Sequence, residues 1–592
     1  MGNKNENRNE SNCRVVDLKN FDIARIFNEI AIYEEMKGEK FKPRAYEKVA
    51  LYIASLNDEL ATIFQNGGIK TLMQLPGIGK SIAEKIIELV QTGKLAYYDE
   101  LKKQIPVDVT TLSSLEGIGP KKVKILYEKL GITNIEELEK AVREKRLQNL
   151  QGFGPKSERK ILNSIEFFKK SHGGRFILPL ILNTLEITID RLKKLDGVKK
   201  IELAGSARRM KETIGDADLL AVSLEPYKVM DFFTSMPEVT YIHAKGRTKS
   251  MVRLVSGIDC DLRIVPEESF GAALQYFTGN KEHNVILRTI ALHNGYKLNE
   301  YGLFDKRNRQ IEGKTEGGIY SRLGLRYIPP ELRENNGEIE AAKDDRLPKL
   351  VEYDSLKGDL QIHTNWTDGN NTILEMAQAA KMAGLEYIAI TDHSPTLGIA
   401  RGLNKEKLAE QEQEIKRVNK KIKLNESMVI LRGVEVNILK DGRLDLENNT
   451  LKEFDIVGAA IHANFSLSKE EQTNRLLSAM YNPNVDILFH PTCRIIQKRE
   501  PLDIDFGKII DVSKETGTIL EVDSSPDRLD LKDSYIKLAI ENGCKLIVNS
   551  DAHDKSHFHF LRLGISQARR GWAEKKDIIN TLSLEKFLKC LK

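Results

Sequence analysis

The stretch Tyr387-Ile388-Ala389-Ile390-Thr391-Asp392-His393 decides the fold of the C-terminal part of the chain. It is a short apolar run that ends in a histidine, and such runs are typical of buried parallel strands. Similar runs, each followed by an imidazole or a carboxylate, recur on both sides and lead to His363, Glu435, His462, His490, Asp523 and His553. Helical stretches separate these runs, so the sequence predicts a β/α barrel.

The strands of a β/α barrel end at one face, and barrels of this kind place their sites there. Imidazoles and carboxylates gathered at that face indicate a site for several metal ions. A single histidine in this position is more often a lone core or capping residue. The repetition of the same placement along the chain favours the shared site.

The bulk properties describe a multidomain protein without a membrane segment. A chain of 592 residues is too long for one hydrophobic core, and its 41% hydrophobic and 30% charged content is ordinary for a soluble protein. We expect no membrane partner, because no apolar stretch approaches the roughly 20 residues of a membrane span. Five cysteines form no CxxC pair, so we expect a cytoplasmic protein, and we expect a monomer.

Three glycine hairpins in the first 170 or so residues indicate a surface for nucleic acid. In each, an apolar residue lies between two glycines and a lysine follows, as in Leu75-Pro76-Gly77-Ile78-Gly79-Lys80. Glycines permit a tight turn that exposes backbone N–H groups at a helix N-terminus, which favours a phosphate. One such turn is usually an ordinary helix connection, but three favour DNA binding through Gly77, Gly79, Lys80, Gly117, Gly119, Gly152 and Gly154.

The middle of the chain has closely spaced carboxylates. Asp216 and Asp218 are two residues apart in an expected strand, so both face one side and need cations between them. Asp259 and Asp261 follow the same period, and geometry alone does not choose between them. Gly205-Ser206 supplies a turn that can approach phosphates.

Together these motifs resemble a family X DNA polymerase. The resemblance covers residues 20–333 and extends from Ala45-Tyr46-Glu47-Lys48 through the hairpin at Gly77 to Tyr276-Phe277-Thr278-Gly279. The barrel resembles the polymerase and histidinol phosphatase (PHP) domain, and the combination is that of bacterial and archaeal family X enzymes. It implies a multidomain α/β protein with a helical helix-hairpin-helix region, a nucleotidyltransferase palm and a (βα)7-type PHP barrel.

The resemblance also implies domain boundaries and an exposed, charged linker. We expect a polar tail over 1–19, a lyase-like helical domain over 20–95, a second helix-hairpin-helix domain over 96–172, a palm over 173–266, a nascent-base-pair-binding subdomain over 267–333, a linker over 334–352 and the barrel over 353–592.

The implied polymerase site needs Mg²⁺, deoxynucleoside triphosphates and gapped or nicked DNA. The metal carboxylates are Asp216, Asp218 and Asp261, the last because the family's third aspartate precedes an apolar residue and an arginine. The residues implied to contact the nucleotide or the base pair are Ser206, Arg209, Gly215, Tyr276, Phe277, Asn284 and Arg288. Lys85 matches the lysine that forms a Schiff base with a 5′-deoxyribose phosphate. Ser81 stands where the vertebrate enzyme has a second lysine.

The implied barrel site holds Mn²⁺ or Zn²⁺ and trims 3′ ends, with possible cutting at abasic sites. Its ligands are His363, Asp368, His393, Glu435, His462, His490, Asp551 and His553. The family's first motif reads His-x-His, but here it begins with Gln361, whose amide oxygen is a weak ligand. Basic residues near two of the turns could bind phosphate or be solvated: Arg494, Lys498, Arg528 and Lys532.

One rival interpretation is a non-catalytic module that binds DNA ends, which fails if Asp216 and Asp218 bind Mg²⁺. Two further rival interpretations remain for the chain. In one, the polymerase is retained and the barrel is a scaffold that does not hydrolyse DNA, which Gln361 supports. In the other, a non-templated nucleotidyltransferase is fused to a small-molecule phosphatase. The hairpins argue against the second, because a small substrate needs no contact with a phosphate backbone.

Overall fold

The computed structural model describes residues 20–39, 41–56, 59–115, 118–148, 150, 152–154, 157–162, 164–165, 175–423 and 428–592. The chain forms two compact units, the first extending to Ser171 and the second beginning at His172. The expected polar tail over 1–19 and the hairpin residue Gly117 lie outside the described residues.

The first unit is helical. Its described helices are Asn20–Lys37, Lys42–Ser55, Leu60–Leu72, Lys80–Thr92, Ala96–Gln104, Val109–Ser114, Pro120–Leu130 and Ile135–Arg143. Helix Lys80–Thr92 buries Ala83, Ile86, Leu89 and Val90 on one face and ends at Gly93, which has the left-handed conformation that glycine favours. One buried cluster runs from Ile23 to Ile165, so the two helical domains expected from the sequence share a core.

The palm is a five-stranded mixed sheet. Its strands, in spatial order, are Val198–Leu203, Asp216–Ser223, Asp259–Ile264, Lys249–Leu254 and Val239–Lys245. The helices associated with it are Leu178–Lys193, Gly205–Arg208 and Pro226–Ser235. Strand Asp259–Ile264 alternates between half-buried and buried residues, which places the aspartates on the half-buried face and Cys260, Leu262 and Ile264 in the core.

The subdomain that follows the palm combines helices with a small antiparallel sheet. The helices are Phe270–Thr278, Lys281–His293 and Glu316–Arg322, and the strands are Lys297–Asn299, Gly302–Phe304 and Gln310–Glu312. His283 is buried here between two partners. Its Nδ1 lies 2.7 Å from a carboxylate oxygen of Glu338, and its Nε2 lies 2.8 Å from the Tyr320 hydroxyl.

The segment after this subdomain differs from the exposed linker that the sequence predicts. Arg333, just before this segment, and Glu338 within it are fully buried, and helix Glu338–Lys343 buries Ile339 and Ala342, while residues 335–337 and 343–346 are exposed as expected. The density of charged residues in this segment predicts exposure to solvent. The difference arises because these charges are paired: Arg333 contacts Glu316 at 2.6 Å, and Glu338 accepts hydrogen bonds from His283 and from backbone N–H groups.

The C-terminal domain is a nearly closed, seven-stranded parallel barrel. Its strands follow chain order: Gly358–Asp359, Tyr387–Ile390, Val429–Asn437, Ile456–Ala460, Ile487–Leu488, Ile519–Asp523 and Leu546–Asn549. Ile362 pairs in parallel with Ala552, which brings the two edges of the sheet together. The α-helices of the domain are Ile373–Met382, Lys405–Lys423, Asn448–Leu451, Lys469–Met480, Phe506–Thr516, Asp533–Glu541, Leu561–Arg570 and Leu584–Leu588.

Candidate active sites

The palm carboxylates lie on two neighbouring parallel strands. Asp216 pairs in register with Asp259, and Asp218 pairs with Asp261. Because all four residues are at positions of the same parity, their side chains share one face of the sheet. The register of the strands alone therefore leaves both Asp259 and Asp261 as candidates for the third metal-binding carboxylate.

The side-chain partners distinguish the two candidates. Asp259 accepts two hydrogen bonds from Arg253, at 2.8 and 3.0 Å, and lies 2.8 Å from Nε2 of His243. Asp261 lies beside Asp218 and 3.0 Å from Nζ of Lys249. Asp259 is thus held in a surface ion pair, while Asp261 belongs to the acidic group.

This acidic group fits divalent cations. Burial, and then the charges of Asp216 and Asp261, raise the pKa of Asp218 to about 6. The raised pKa means that negative charge at Asp218 is incompletely compensated by the protein. Gly205 borders the same carboxylate at positive φ, where a Cβ atom would lie 2.5 Å from Oδ2 of Asp218. A side chain at position 205 would therefore clash with the Asp218 carboxylate, so this position requires glycine.

Five of the seven residues expected to bind the nucleotide border one cavity of about 300 Å³. Arg209, Tyr276, Phe277, Asn284 and Arg288 all line it. Ser206 lies in the short helix Gly205–Arg208, and Gly215 directly precedes Asp216, so both are near this region in sequence but are not among the lining residues. The structure therefore brings most of the expected set into one concave surface.

Asn284 and Arg209 already have side-chain partners in the protein. The Asn284 amide accepts a hydrogen bond from Gln275 at 2.7 Å and donates one to the carbonyl of Tyr276 at 2.7 Å. Nε of Arg209 donates to Glu334 at 2.9 Å, and its Nη1 donates to the carbonyl of Thr278. Glu334 was not predicted from the sequence, since nothing in its surroundings in the chain indicates a partner 125 residues earlier.

The described glycine hairpins share one geometry. The N–H of the central apolar residue donates to the leucine carbonyl three residues earlier, at 3.1 Å for Ile78, 3.1 Å for Ile118 and 3.0 Å for Phe153. All three apolar residues are buried. Gly77 and Gly152 have positive φ, whereas a Cβ atom added at Gly79, Gly119 or Gly154 would meet nothing within 4 Å. The second glycine of each hairpin thus faces open space.

Lys85 lies half-buried in the first unit. Its Nζ donates to Oγ of Ser81 at 3.0 Å and lies 4.8 Å from the centre of the Tyr97 ring. Burial lowers the pKa of Lys85. Tyr46 is buried and packs against Phe27.

The barrel gathers the expected metal ligands into two overlapping groups. Within each group the potential ligand atoms lie within 4.8 Å of one another: His363, Asp368, His393 and His553 form the first, and His393, Glu435 and His462 form the second. His490 approaches Glu435 at 3.1 Å, and Asp551 approaches His363 at 3.2 Å. All eight expected residues therefore lie in one continuous cluster.

The chemistry of this cluster fits metal ions. Both ring nitrogens of His363 and Nδ1 of His393 and His490 are buried and make no well-directed hydrogen bond with the described residues, although carboxylate oxygens lie 3.1 to 3.3 Å from Nε2 of His363 and Nδ1 of His393. Burial alone would lower the pKa of His393, but Glu435 and Asp368 raise it to about 11. An environment that holds a proton so strongly favours cations, and buried nitrogens without well-directed hydrogen bonds are available as ligands.

Gln361 differs from the weak metal ligand that the sequence analysis predicts. Its side chain is fully buried, and the amide nitrogen, in the orientation that its neighbours require, lies 2.6 and 3.0 Å from the two carboxylate oxygens of Glu521. Burial and the charge of Asp523 raise the pKa of Glu521 well above its ordinary value. Gln361 thus hydrogen-bonds a buried carboxyl group behind the cluster, a pairing that only the assembled barrel reveals.

The basic residues near the barrel site have different surroundings. Lys498 and Lys532 are exposed, and Nε of Arg528 lies 3.6 Å from Asp523 and 3.9 Å from Asp551. Arg494 is neither solvated nor directed at a phosphate, because it is buried and donates to Glu212 of the palm at 2.9 Å. Arg528 is therefore the basic residue placed beside the metal ligands.

Both the N-terminal polymerase region and the C-terminal barrel of the chain match known protein families. Residues 18–95 match a helix-hairpin-helix domain, residues 109–166 a SAM-like helix-hairpin-helix tandem, residues 273–334 the DNA polymerase beta thumb and residues 359–500 the PHP domain. The DNA polymerase/3′-5′ exonuclease PolX of Bacillus subtilis (strain 168) is 37% identical over 575 residues, which cover 96% of this chain and 99% of that protein. The chain belongs to the family X DNA polymerases that have a C-terminal PHP domain.

Other relatives match one part of the chain each. A probable phosphatase of Thermoanaerobacter sp. (strain X514) is 36% identical over 207 residues, covering 33% of this chain and 78% of the relative. DNA polymerase lambda of Arabidopsis thaliana is 26% identical over 350 residues, covering 53% of this chain and 62% of the relative. None of the helices in the described ranges is both long and apolar enough to span a membrane.

Proposed function

We propose that this chain extends DNA primers at the palm site, removes 3′-terminal nucleotides at the barrel site, and uses both activities to repair short gaps. The observation on which the proposal rests is that one chain contains two acidic centres of different composition. One has three aspartates on one face of the palm sheet, near the turn from which Arg209 lines a cavity of about 300 Å³, and the other has imidazoles and carboxylates within a barrel.

In the palm, Arg209 and the turn at Ser206 bind the triphosphate, and Tyr276 and Phe277 pack against its sugar. Their rings meet edge to face at 5.2 Å, which fixes one wall of the cavity. Asp216, Asp218 and Asp261 hold Mg²⁺, and the cations supply charge neutralisation at the phosphoryl oxygens. The primer 3′-oxygen attacks the α-phosphate, and pyrophosphate leaves.

In the barrel, the eight clustered side chains hold Mn²⁺ or Zn²⁺ and orient the terminal phosphodiester. Bound metal supplies an activated water and a Lewis acid for phosphodiester hydrolysis. Asn437 contacts Nδ1 of His462 at 2.5 Å, which leaves Nε2 facing Glu435 at 3.3 Å. Arg528, beside Asp551, is placed to attract the phosphate. Cleavage at abasic sites is proposed for the same centre.

One assay tests the proposal. A duplex with a short gap and a labelled primer is incubated with Mg²⁺ or Mn²⁺, with and without deoxynucleotides, and the primer length is read on a gel. We expect extension when nucleotides are present and shortening when they are absent, with shortening favoured by Mn²⁺. If neither change occurs with either metal, the proposal is wrong.

Each rival interpretation predicts a different outcome in the same protein. A scaffold barrel predicts no shortening at millimolar Mn²⁺ and no metal by elemental analysis. The phosphatase rival predicts hydrolysis of a small phosphomonoester, and the similarity of one third of this chain to a probable phosphatase is the observation that supports it. Rapid release of phosphate from such a compound, together with an intact primer, would support that rival. The expected cytoplasmic location and monomeric state stay predictions.

A further inference from the structure

The loop from Arg209 to Gly215, which includes the two-residue strand Thr213–Ile214, connects the triphosphate-binding part of the palm to Asp216. Within the second compact unit this loop contacts the barrel at two places. The barrel residues at these contacts belong to neither candidate site as described above. Any effect of these barrel residues on nucleotide binding in the palm rests on the proposed polymerase activity.

Arg570 makes the first contact. It lies at the end of the barrel helix Leu561–Arg570 and is 4% exposed. Its Nη1 donates to the backbone carbonyl of Arg209 at 2.8 Å and to Glu334 at 3.3 Å, and its Nη2 donates to Asp533 at 2.5 Å. One guanidinium group thus fixes the loop backbone, the carboxylate that holds Arg209, and a helix of the barrel.

Arg494 makes the second contact, three residues further along the loop. Its Nη2 donates to Glu212 at 2.9 Å and to the carbonyl of Leu529. Apolar packing supports this contact, because the barrel residues Ile496, Leu529 and Leu563 belong to the same buried cluster as the palm core. The loop is therefore held at both its beginning and its middle by the barrel.

The positively charged side chains around Glu334 indicate the role of Arg570. Glu334 lies 2.9 Å from Arg209, 3.3 Å from Arg570 and 3.4 Å from Lys211. In the proposed activity, the guanidinium group of Arg209 binds the triphosphate in the cavity that it lines. Without Arg570, Glu334 would have less positive charge to balance it and would hold Arg209 more strongly. The backbone of Arg209 would also lose its donor from the barrel.

We propose that Arg570 is a positioning residue of the polymerase site, by which the PHP barrel holds Glu334 and the Arg209 loop in the arrangement that binds the incoming triphosphate. The barrel thereby contributes to nucleotide binding in a domain other than its own, independently of its metal cluster.

Arg570→Lys tests this in the full-length protein. Lysine keeps a positive charge for Asp533, but its compact ammonium group cannot reproduce the planar arrangement of donors to Glu334 and Arg209. We expect the KM for deoxynucleotides to rise about tenfold, the loss of roughly one charge-assisted hydrogen bond. The kcat, the affinity for gapped DNA and 3′ shortening should each change by less than about twofold.

The matched control is Arg562→Ala. Arg562 pairs with Glu186 of the palm at 2.7 Å, so it bridges the same two domains, but it is exposed and does not contact the loop. We expect wild-type kinetics from this variant. Adding Glu334→Gln to Arg570→Lys should restore much of the deoxynucleotide affinity, because the carboxylate that retains Arg209 is then neutral.

Two results would overturn the proposal. One is an unchanged KM in folded Arg570→Lys, and the other is a parallel loss of DNA affinity, shortening and melting temperature, which would indicate a purely structural contact. If Arg570→Lys does not fold, Glu334→Gln alone decides: the proposal requires a lower KM, and an unchanged or higher KM contradicts it. Failure of the proposed function itself is distinguishable, since wild-type protein would then not extend primers.

Discussion

Asp259 and Asp261 differ by two positions in one strand and have different partners, so substituting each should have different effects. Asp261→Ala removes a carboxylate beside Asp218, and we expect primer extension to fall at least about 100-fold. Asp259→Ala breaks the pair with Arg253, and extension should fall by less than about tenfold. Steady-state extension rates with Mg²⁺ measure both. Equal losses in folded variants would remove Asp261 from the metal site.

Lys85 combines a lowered pKa with a neighbouring hairpin that can hold a 5′-phosphate, and both favour an amine that forms a Schiff base. We expect borohydride to trap the protein on a 5′-deoxyribose phosphate substrate. Lys85→Ala should abolish trapping, while Ser81→Ala, which removes the hydroxyl 3.0 Å from the amine, should retain it. Trapping that persists in Lys85→Ala would assign the role to another amine.

In the glycine hairpins, the shape of the turn and the charge of the lysine that follows it can be tested by separate substitutions. A side chain at Gly79 meets no protein atom, so Gly79→Ala should fold normally and hinder only an approaching phosphate. We expect weaker binding to gapped duplex with an unchanged melting temperature and little dependence on base composition. Lys80→Ala should instead lower the slope of log affinity against log salt by about 1. Fluorescence anisotropy over a salt series measures both, and wild-type affinity in Gly79→Ala would make the turn an ordinary helix connection.

Helix Glu316–Arg322 begins with a carboxylate that should make folding of the second unit depend on pH. Burial alone would raise the pKa of Glu316, but Arg333 and Arg208 lower it from 4.5 to about 2. A depressed pKa stabilises the folded state above pH 4.5, and that stabilisation is lost as pH falls toward 2. We expect it to be on the order of 3 kcal/mol. The difference in free energy of unfolding between wild type and Glu316→Gln should therefore shrink as pH falls from 5 to 2. A constant difference would contradict this.

Across the whole molecule, local sequence patterns predicted the helices and strands. They did not predict the contacts between residues that are distant in the chain. The Asp216-Ala217-Asp218 spacing and the apolar runs before His363 and His393 depend on local periodicity, so they were visible in the sequence. The contact between Arg570 and Arg209 joins residues 361 positions apart. The expected exposure of the 334–352 segment fails at Glu338 for the same reason: this carboxylate is buried against His283, which only the folded chain brings near.

Our central claim is that two separate centres act on one DNA end. The most direct test compares Asp216→Ala and His363→Ala on a labelled gapped duplex, with both metals present and with or without deoxynucleotides. We predict that Asp216→Ala abolishes extension and retains 3′ shortening, and that His363→Ala abolishes shortening and retains extension. Loss of both activities in either folded variant would contradict the claim.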